Sequence, residues 1–332
     1  MEQVRDTELK KVWIILSSAI GLMVLLLLLS TIGSVQLSLG EILEELIKGE
    51  NQMIRTIVLK MRLPRNILAA LVGASLAVAG LLLQAVMKNP LADPGITGVS
   101  SGATVAAIII LLVLPHYTPF LPIIAFIGGG VACLMVYMMA WKNGLRPERI
   151  VLAGVAVNTI LGGIISFFSV MFSERIQSAL LWLNGSLATK TWNDVKVLAV
   201  YTGVGLIASC FLIRKANILQ LGDEAAINLG VRLNSTRLII SAVAVFLAGT
   251  ATAIVGIISF VGLIVPHMAR MFMGSDHKYT VPFSMVLGAM VLLLADSLAR
   301  TIGGSIEIPV GVMMAIIGGP FFLYLLRKRG NV

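Results

Sequence analysis

From Val12 to Ile32 the chain runs without one charged side chain, and stretches of similar length recur to its end. An apolar run of about 20 residues matches a helix that crosses a bilayer. In lipid every backbone N–H and C=O must find a partner inside the protein, which leaves helices or a closed barrel. Runs this long read as helices. Composition agrees: 58% of residues are apolar and only 12% charged, with a mean hydropathy of +0.98. A soluble fold could not cover so much apolar surface with so few charges. The sequence therefore predicts an all-α polytopic membrane protein, one transmembrane domain over 1–332 embedded in a lipid bilayer.

Spans are expected at about 12–32, 62–87, 96–114, 121–141, 150–172, 195–213, 238–255, 259–273, 281–299 and 308–326, ten in all. The seventh and eighth come from splitting one apolar stretch, Leu238 to Phe272, which is too long for a single crossing. Gly256, Gly262 and Pro266 interrupt it, so the eighth span is expected to be short and broken. Charge supports the count. With ten spans and the N-terminus inside, the inner segments hold 16 of the 25 Lys and Arg, and five of the nine outer ones lie between Lys48 and Arg65. Nine spans would put Arg327, Lys328 and Arg329 outside, against the positive-inside rule. Both termini are thus expected in the cytoplasm. After the first span, Ser38 and Glu41 form a capping box, and Leu39, Ile42, Leu43, Leu46 and Ile47 share one face, which predicts a short helix on the outer membrane surface.

Several chemistries lack their residues. Cys133 and Cys210 lie far apart in apolar segments, and three histidines without HExxH offer no metal site. No GxxxxGK[ST] occurs, so the chain has no P-loop of its own. The net charge of +9 sits at the ends of apolar runs and gives no reason to expect nucleic acid. No catalytic constellation and no cofactor are expected.

At an offset of 176 residues the chain matches itself: Leu71, Gly73, Ala77, Gly80 and Pro90 fall on Leu247, Gly249, Ala253, Gly256 and Pro266. The two copies begin five crossings apart and so run in opposite directions. An inverted repeat of this kind frames a pathway in transporters, although small residues at this spacing also let helices pack closely. Asp296 and Arg300 stand one turn apart near the outer end of the ninth span, with Glu307 beyond them, either a functional pair or a structural one. His267 follows Pro266 and is expected to bond freed backbone. Two inner segments stand out. Asn89-Pro90-Leu91-Ala92-Asp93-Pro94-Gly95 cannot continue a helix. Within loop 214–237, Gly222 and Gly230 bracket a short helix with acids in its first turn, suited to docking in another protein's cleft.

These segments resemble a known family. Arg62-Leu63-Pro64-Arg65, Asn89 to Gly95, Leu221-Gly222-Asp223-Glu224-Ala225-Ala226 with Leu229-Gly230, Phe260 to His267, Leu294-Ala295-Asp296 with Arg300, Glu307 to Gly311, and Gly318-Gly319-Pro320-Phe321 are similar to the membrane permeases of bacterial ATP-driven importers for ferric siderophores, haem and vitamin B12. The likeness runs from about residue 60 to 326. It implies a ten-helix permease of the bacterial plasma membrane that pairs with a second copy or a paralogue. Two copies of a separate ATPase would bind below it and an extracytoplasmic substrate-binding protein above; the permease itself would not be an enzyme. By the same resemblance, Gly222, Asp223, Glu224, Ala225, Ala226, Leu229 and Gly230 couple to the ATPase, and Asn89, Pro90 and Leu91 lie at the cytoplasmic gate. Arg62, Arg65 and Arg300 would meet the binding protein, and a ferric siderophore would be the cargo, with haem or vitamin B12 as the alternatives. A second gate lies in the family's loop before span 5, where this chain carries Arg146-Pro147-Glu148-Arg149, more charged than the family pattern. From another class, a secondary transporter also fits the repeat and Asp296, but the chain offers no second buried acid for an ion relay.

Overall fold

The computed structural model describes residues 2–32, 37–38, 40, 51–302 and 307–329. Most of the surface helix expected over 38–47 lies outside them. Among the described residues the protein is helical throughout, with no strand. Ten helices are apolar enough to serve as spans: α1 (Glu2–Leu29), α2 (Gln52–Met87), α3 (Val99–Val113), α4 (Leu121–Ala140), α5 (Pro147–Met171), α7 (Trp192–Gln220), α9 (Leu233–Val255), α10 (Val261–Met273), α11 (His277–Ile302) and α12 (Val310–Arg329). Two short ones lie between them, α6 (Ile176–Leu183) and α8 (Asp223–Asn228). The sequence reading did not anticipate α6. The end of the bundle that carries the chain termini is called inner below, and the opposite end outer.

α2 is the hub: 83% of its apolar window is buried inside the protein, against 6% for α1. Small residues let its neighbours in. A Cβ on Gly73 would stand 2.1 Å from the Gly288 carbonyl of α11, and one on Gly80 would stand 1.9 Å from that of Gly262 in α10. The repeat copy of Gly73, Gly249 in α9, lies instead against Phe126 of α4. Span 2 thus packs on span 9 and span 7 on span 4. That exchange of partners is what two symmetry-related copies, spans 2–5 and 7–10, produce.

Prolines inside the spans free carbonyls, and side chains from neighbouring helices take them. Before Pro64, α2 widens into a π-helix over Thr56–Arg62. In that register the Leu59 carbonyl would bond residue 64, which has no N–H. Trp192 Nε1 donates to Leu59 O at 2.7 Å instead. Pro266 likewise frees the Gly262 carbonyl, and Gln84 Nε2 donates to it at 3.2 Å. With that carbonyl satisfied, α10 runs unbroken from Val261 to Met273 with Pro266 inside it. The eighth span is therefore not broken at Pro266, and the irregular backbone lies between the seventh and eighth spans, at 256–260.

There Gly256 has φ +82°, a left-handed conformation, and a Cβ on it would meet the Trp182 carbonyl at 1.9 Å. At 13 residues α10 is about 20 Å long, too short to cross a bilayer of about 30 Å alone. The irregular segment before it lies within the protein, bounded by the end of α6 and by α12. Ser186 N donates to Val255 O at 2.8 Å, and Gly311 N to Gly185 O at 3.1 Å. Phe260 lies over Gly318. Non-helical backbone at membrane depth is tolerated only where protein covers it in this way.

Candidate functional site

Two clusters of polar side chains stand out, one at each end of the bundle. The inner one is built around α8. Gly222 and Gly230 adopt φ +111° and +78°, which only glycine takes without strain. They turn the chain out of α7 and back towards α9. Glu224 faces outward, as do Ile227 and Leu229, 58% and 60% exposed, while Ala226 is fully buried. Asp223 turns towards the bundle. Its carboxylate accepts two hydrogen bonds from Arg237 Nη2 of α9, at 2.8 and 2.9 Å, and one from Lys88 Nζ. Burial pushes the Asp223 carboxyl up, but Lys88 and Arg237 outweigh it and hold it below the usual range, so it is ionised at neutral pH.

Lys88 closes α2 in a left-handed conformation, φ +48°, and leads directly into Asn89, Pro90 and Leu91. Asn89 Oδ1 accepts from Leu91 N at 2.9 Å, and the Ala92 N–H returns to Asn89 O at 3.1 Å, forming a local turn. Past that turn the segment is fixed to the bundle. Gln84 Nε2 donates to Ala92 O at 3.3 Å, Asn158 Nδ2 of α5 to Gly95 O at 2.9 Å, and Gly95 N to Asp93 Oδ1 at 2.8 Å. Gln84 Oε1 accepts from Arg270, so one buried amide joins α2, α10 and the Asn89–Gly95 segment. Arg237, 2% exposed, also donates Nη1 to Leu145 O at 2.6 Å, and Leu145 N donates to Asn234 Oδ1 at 3.0 Å. Leu145 belongs to the loop before α5. Asn234 thus braces this loop.

At the outer end, Arg62, Arg65 and Arg300 come together, but with their guanidiniums turned inward. Arg62 Nη1 donates to Ser30 O at 3.0 Å and Thr31 O at 2.9 Å. Arg65 grips the fully buried Asp296 with Nε and Nη2, at 2.9 to 3.2 Å, and also pairs with Glu307. Arg300 Nε lies 3.2 Å from Asp296, the one-turn pair visible in the sequence, and its Nη2 donates to Asn66 Oδ1 at 2.9 Å. Glu307 is the open member, 48% exposed, while Arg65 and Arg300 are at 11% and 9%.

The sequence reading missed Lys88, Arg237, Gln84 and Asn66. Lys88 had a legible signal, since it is the single basic residue between 84 and 95. The other three sit within apolar or helical stretches whose partners lie far along the chain. A separate cavity of about 360 Å³ lies between α4 and α9, lined by Phe126, Cys133, Tyr137, Ser241 and Val245 among others. Its polar groups satisfy each other, Tyr137 Oη lying 2.5 Å from Ser241 Oγ, so it asks for no polar ligand.

A ten-span helical bundle with an inverted repeat, Gly-bracketed α8 at one end and an arginine–carboxylate cluster at the other, has the organisation of a membrane transport protein. The chain belongs to the FecCD transport family, whose model matches residues 21–328. It is 40% identical over 314 residues to the Fe(3+)-citrate import system permease YfmE of Bacillus subtilis (strain 168), covering 94% of each chain. It is 37% identical over 294 residues to IsdF of Staphylococcus aureus (strain MSSA476), named a probable heme-iron transport system permease, covering 89% of each. Among solved structures it is similar to a metal-chelate type ABC transporter in an inward-facing conformation, with a TM-score of 0.85 and 28% identity over 95% of this chain and 99% of that one. PsaBC from Streptococcus pneumoniae, at 17% identity and a TM-score of 0.56, shares the fold.

Proposed function

We propose that this permease carries a small ferric chelate, a ferric siderophore or ferric citrate, into the cell through alternating access driven by a separate ATPase. The observation that carries this is the 40% identity over almost the whole chain to a ferric-citrate import permease. Asp296, the buried acid that a secondary transporter would need, is held by two arginines. Haem is the second reading, supported by the 37% identity to a heme-iron permease. In this reading the termini face the cytoplasm, a second copy or paralogue completes the pathway, two ATPase subunits seat on α8, and a substrate-binding protein seats on the outer end. The permease makes and breaks no bond; closure of the ATPase pair shifts its halves between outward-open and inward-open states. Uptake of radiolabelled ferric citrate, a ferric hydroxamate and haem into vesicles holding the whole assembly tests it. Import of either small chelate only when ATP is supplied supports the reading, haem-only import favours the second, and ATP-independent import driven by an ion gradient refutes both.

Glu224, Ile227 and Leu229 form the exposed surface of α8 that would enter the ATPase. Glu224→Lys reverses a charge at that contact, and Gly230→Leu forces a side chain into a left-handed conformation, at a cost of about 1–3 kcal/mol. Both variants are expected to insert normally and to lose substrate-stimulated ATP hydrolysis in proteoliposomes. Normal stimulation in both would remove α8 from the interface.

At the outer end, the docking role of Arg62, Arg65 and Arg300 takes a particular form. Because Arg65 is already paired with Glu307, an incoming carboxylate must exchange with the half-exposed acid. Glu307→Gln removes the competitor and is expected to strengthen capture of an acidic binding protein a few-fold at low salt, the scale of a solvated pair worth about 0.2–1 kcal/mol. Binding kinetics on immobilised permease read this directly. No change in association rate would leave the arginines a purely structural role.

A further inference from the structure

The two inner loops that the family resemblance marks as gates, Asn89–Leu91 and the loop before α5, are both linked to one side chain of α8, the first at the residue before it and the second through Arg237. Asp223 of α8 accepts from Lys88, the residue immediately before Asn89. It also accepts both bonds from Arg237 Nη2, and Arg237 Nη1 donates to Leu145 O in the other loop. Glu224, Ile227 and Leu229 point away from the bundle.

The first loop is held to the bundle at both ends, and at its near end a side chain also ties it to α8. Beyond Leu91 the first loop is pinned at Ala92 and Gly95 by Gln84 and Asn158, and Asp93 caps the short 3-10 turn that follows at Pro94–Thr97. At its near end, Lys88 sits on the C-terminus of α2, where its side chain bridges out to α8. The three gate residues therefore lie between an anchored end and an end bonded to the helix that the ATPase would move. A displacement of α8 cannot leave Lys88 behind without separating opposite charges, and it draws Arg237 and Leu145 along by the same carboxylate.

We propose that Asp223 is not a contact residue for the ATPase but a positioning residue, the joint through which α8 moves both inner loops together. The chemistry suits the role. A carboxylate with two oxygens can accept from one guanidinium nitrogen and from an ammonium at once, and Arg237, buried and always charged, spends its other terminal nitrogen on Leu145 O. The short side chain also matters, because Asp adds less slack between α8 and the loops than Glu would.

This inference rests on the assignment of α8 to an ATPase contact, and the test separates the two. In proteoliposomes holding the complete importer, Asp223→Asn is expected to bind the ATPase with wild-type affinity, while substrate carried per ATP hydrolysed falls about tenfold, within the usual range of coupling between sites. Lys88→Met is expected to lower the same ratio, and to slow labelling of a cysteine placed at Leu91 during turnover. Asp223→Glu, which keeps the charge, is expected to restore at least half of the ratio; a merely destabilised permease would lose assembly and not the ratio, and Asp223→Glu would not rescue it selectively. Weakened ATPase binding by Asp223→Asn would return Asp223 to the interface and overturn the proposal, as would an unchanged transport-to-ATP ratio in Asp223→Asn. If Glu224→Lys also leaves ATPase binding intact, the assignment of α8 itself has failed, which is a different result.

Discussion

Replacing Asp296 with Asn is expected to cost the permease most of its folded yield, and with it several degrees or more of thermal stability in detergent. Asp296 is fully buried and binds two guanidiniums, from Arg65 231 residues earlier and from Arg300 one turn later. Asn keeps the shape and one acceptor oxygen but removes the charge, leaving two nearly buried cations with only Glu307 and Asn66 to answer them. Removing one partner of a buried ion network typically costs about 3–5 kcal/mol, because the remaining charges are stranded away from water. Glu307 provides the internal contrast. It pairs with the same Arg65 but is about half exposed, so Glu307→Gln should cost under about 1 kcal/mol. Thermal unfolding followed by size-exclusion of the solubilised protein measures both, and equal losses in the two variants would contradict the burial argument.

The second large effect is steric. Gly80→Ala places a methyl group 1.9 Å from the Gly262 carbonyl and 2.5 Å from its Cα. These are backbone atoms, with no side-chain end that could swing aside, so α2 and α10 must move apart. Moving them strains the Gln84 bond to that same carbonyl, the one that satisfies the group freed by Pro266. Overpacking of this kind costs about 1–3 kcal/mol, and losing the Gln84 bond in an apolar setting adds to it. Gly130→Ala is the control, since a Cβ there meets nothing within 4 Å and alanine is the better helix former by about 1 kcal/mol. Gly80→Ala is thus expected to lower the unfolding temperature and Gly130→Ala to hold or raise it. Opposite signs from one chemical change would locate the effect in helix contact and exclude propensity as its source.

Sequence alone carried the class of fold because membrane crossing is a local demand. A bilayer tests each segment for length and apolarity by itself, so the runs, the inner bias of Lys and Arg, and the offset of 176 residues could be read without knowing which helix touches which. The Gly222 and Gly230 brackets and the Asp296–Arg300 pair were legible for the same reason, since turn chemistry and one-turn spacing are local. Tertiary structure decided everything that depends on partners distant in the chain. It left the eighth span unbroken at Pro266, because Gln84 of another helix satisfies the carbonyl that the proline frees. It turned three outer arginines inward, because buried Asp296 and backbone carbonyls of α1 compete for them. It joined the part-exposed Asp223 to two cations, because Lys88 and Arg237, 135 and 14 residues away in sequence, arrive at the same carboxylate. No pattern in the sequence encodes such meetings, since a charge in a short polar segment reads alike whether it faces water, a partner protein or a cation folded back from another helix.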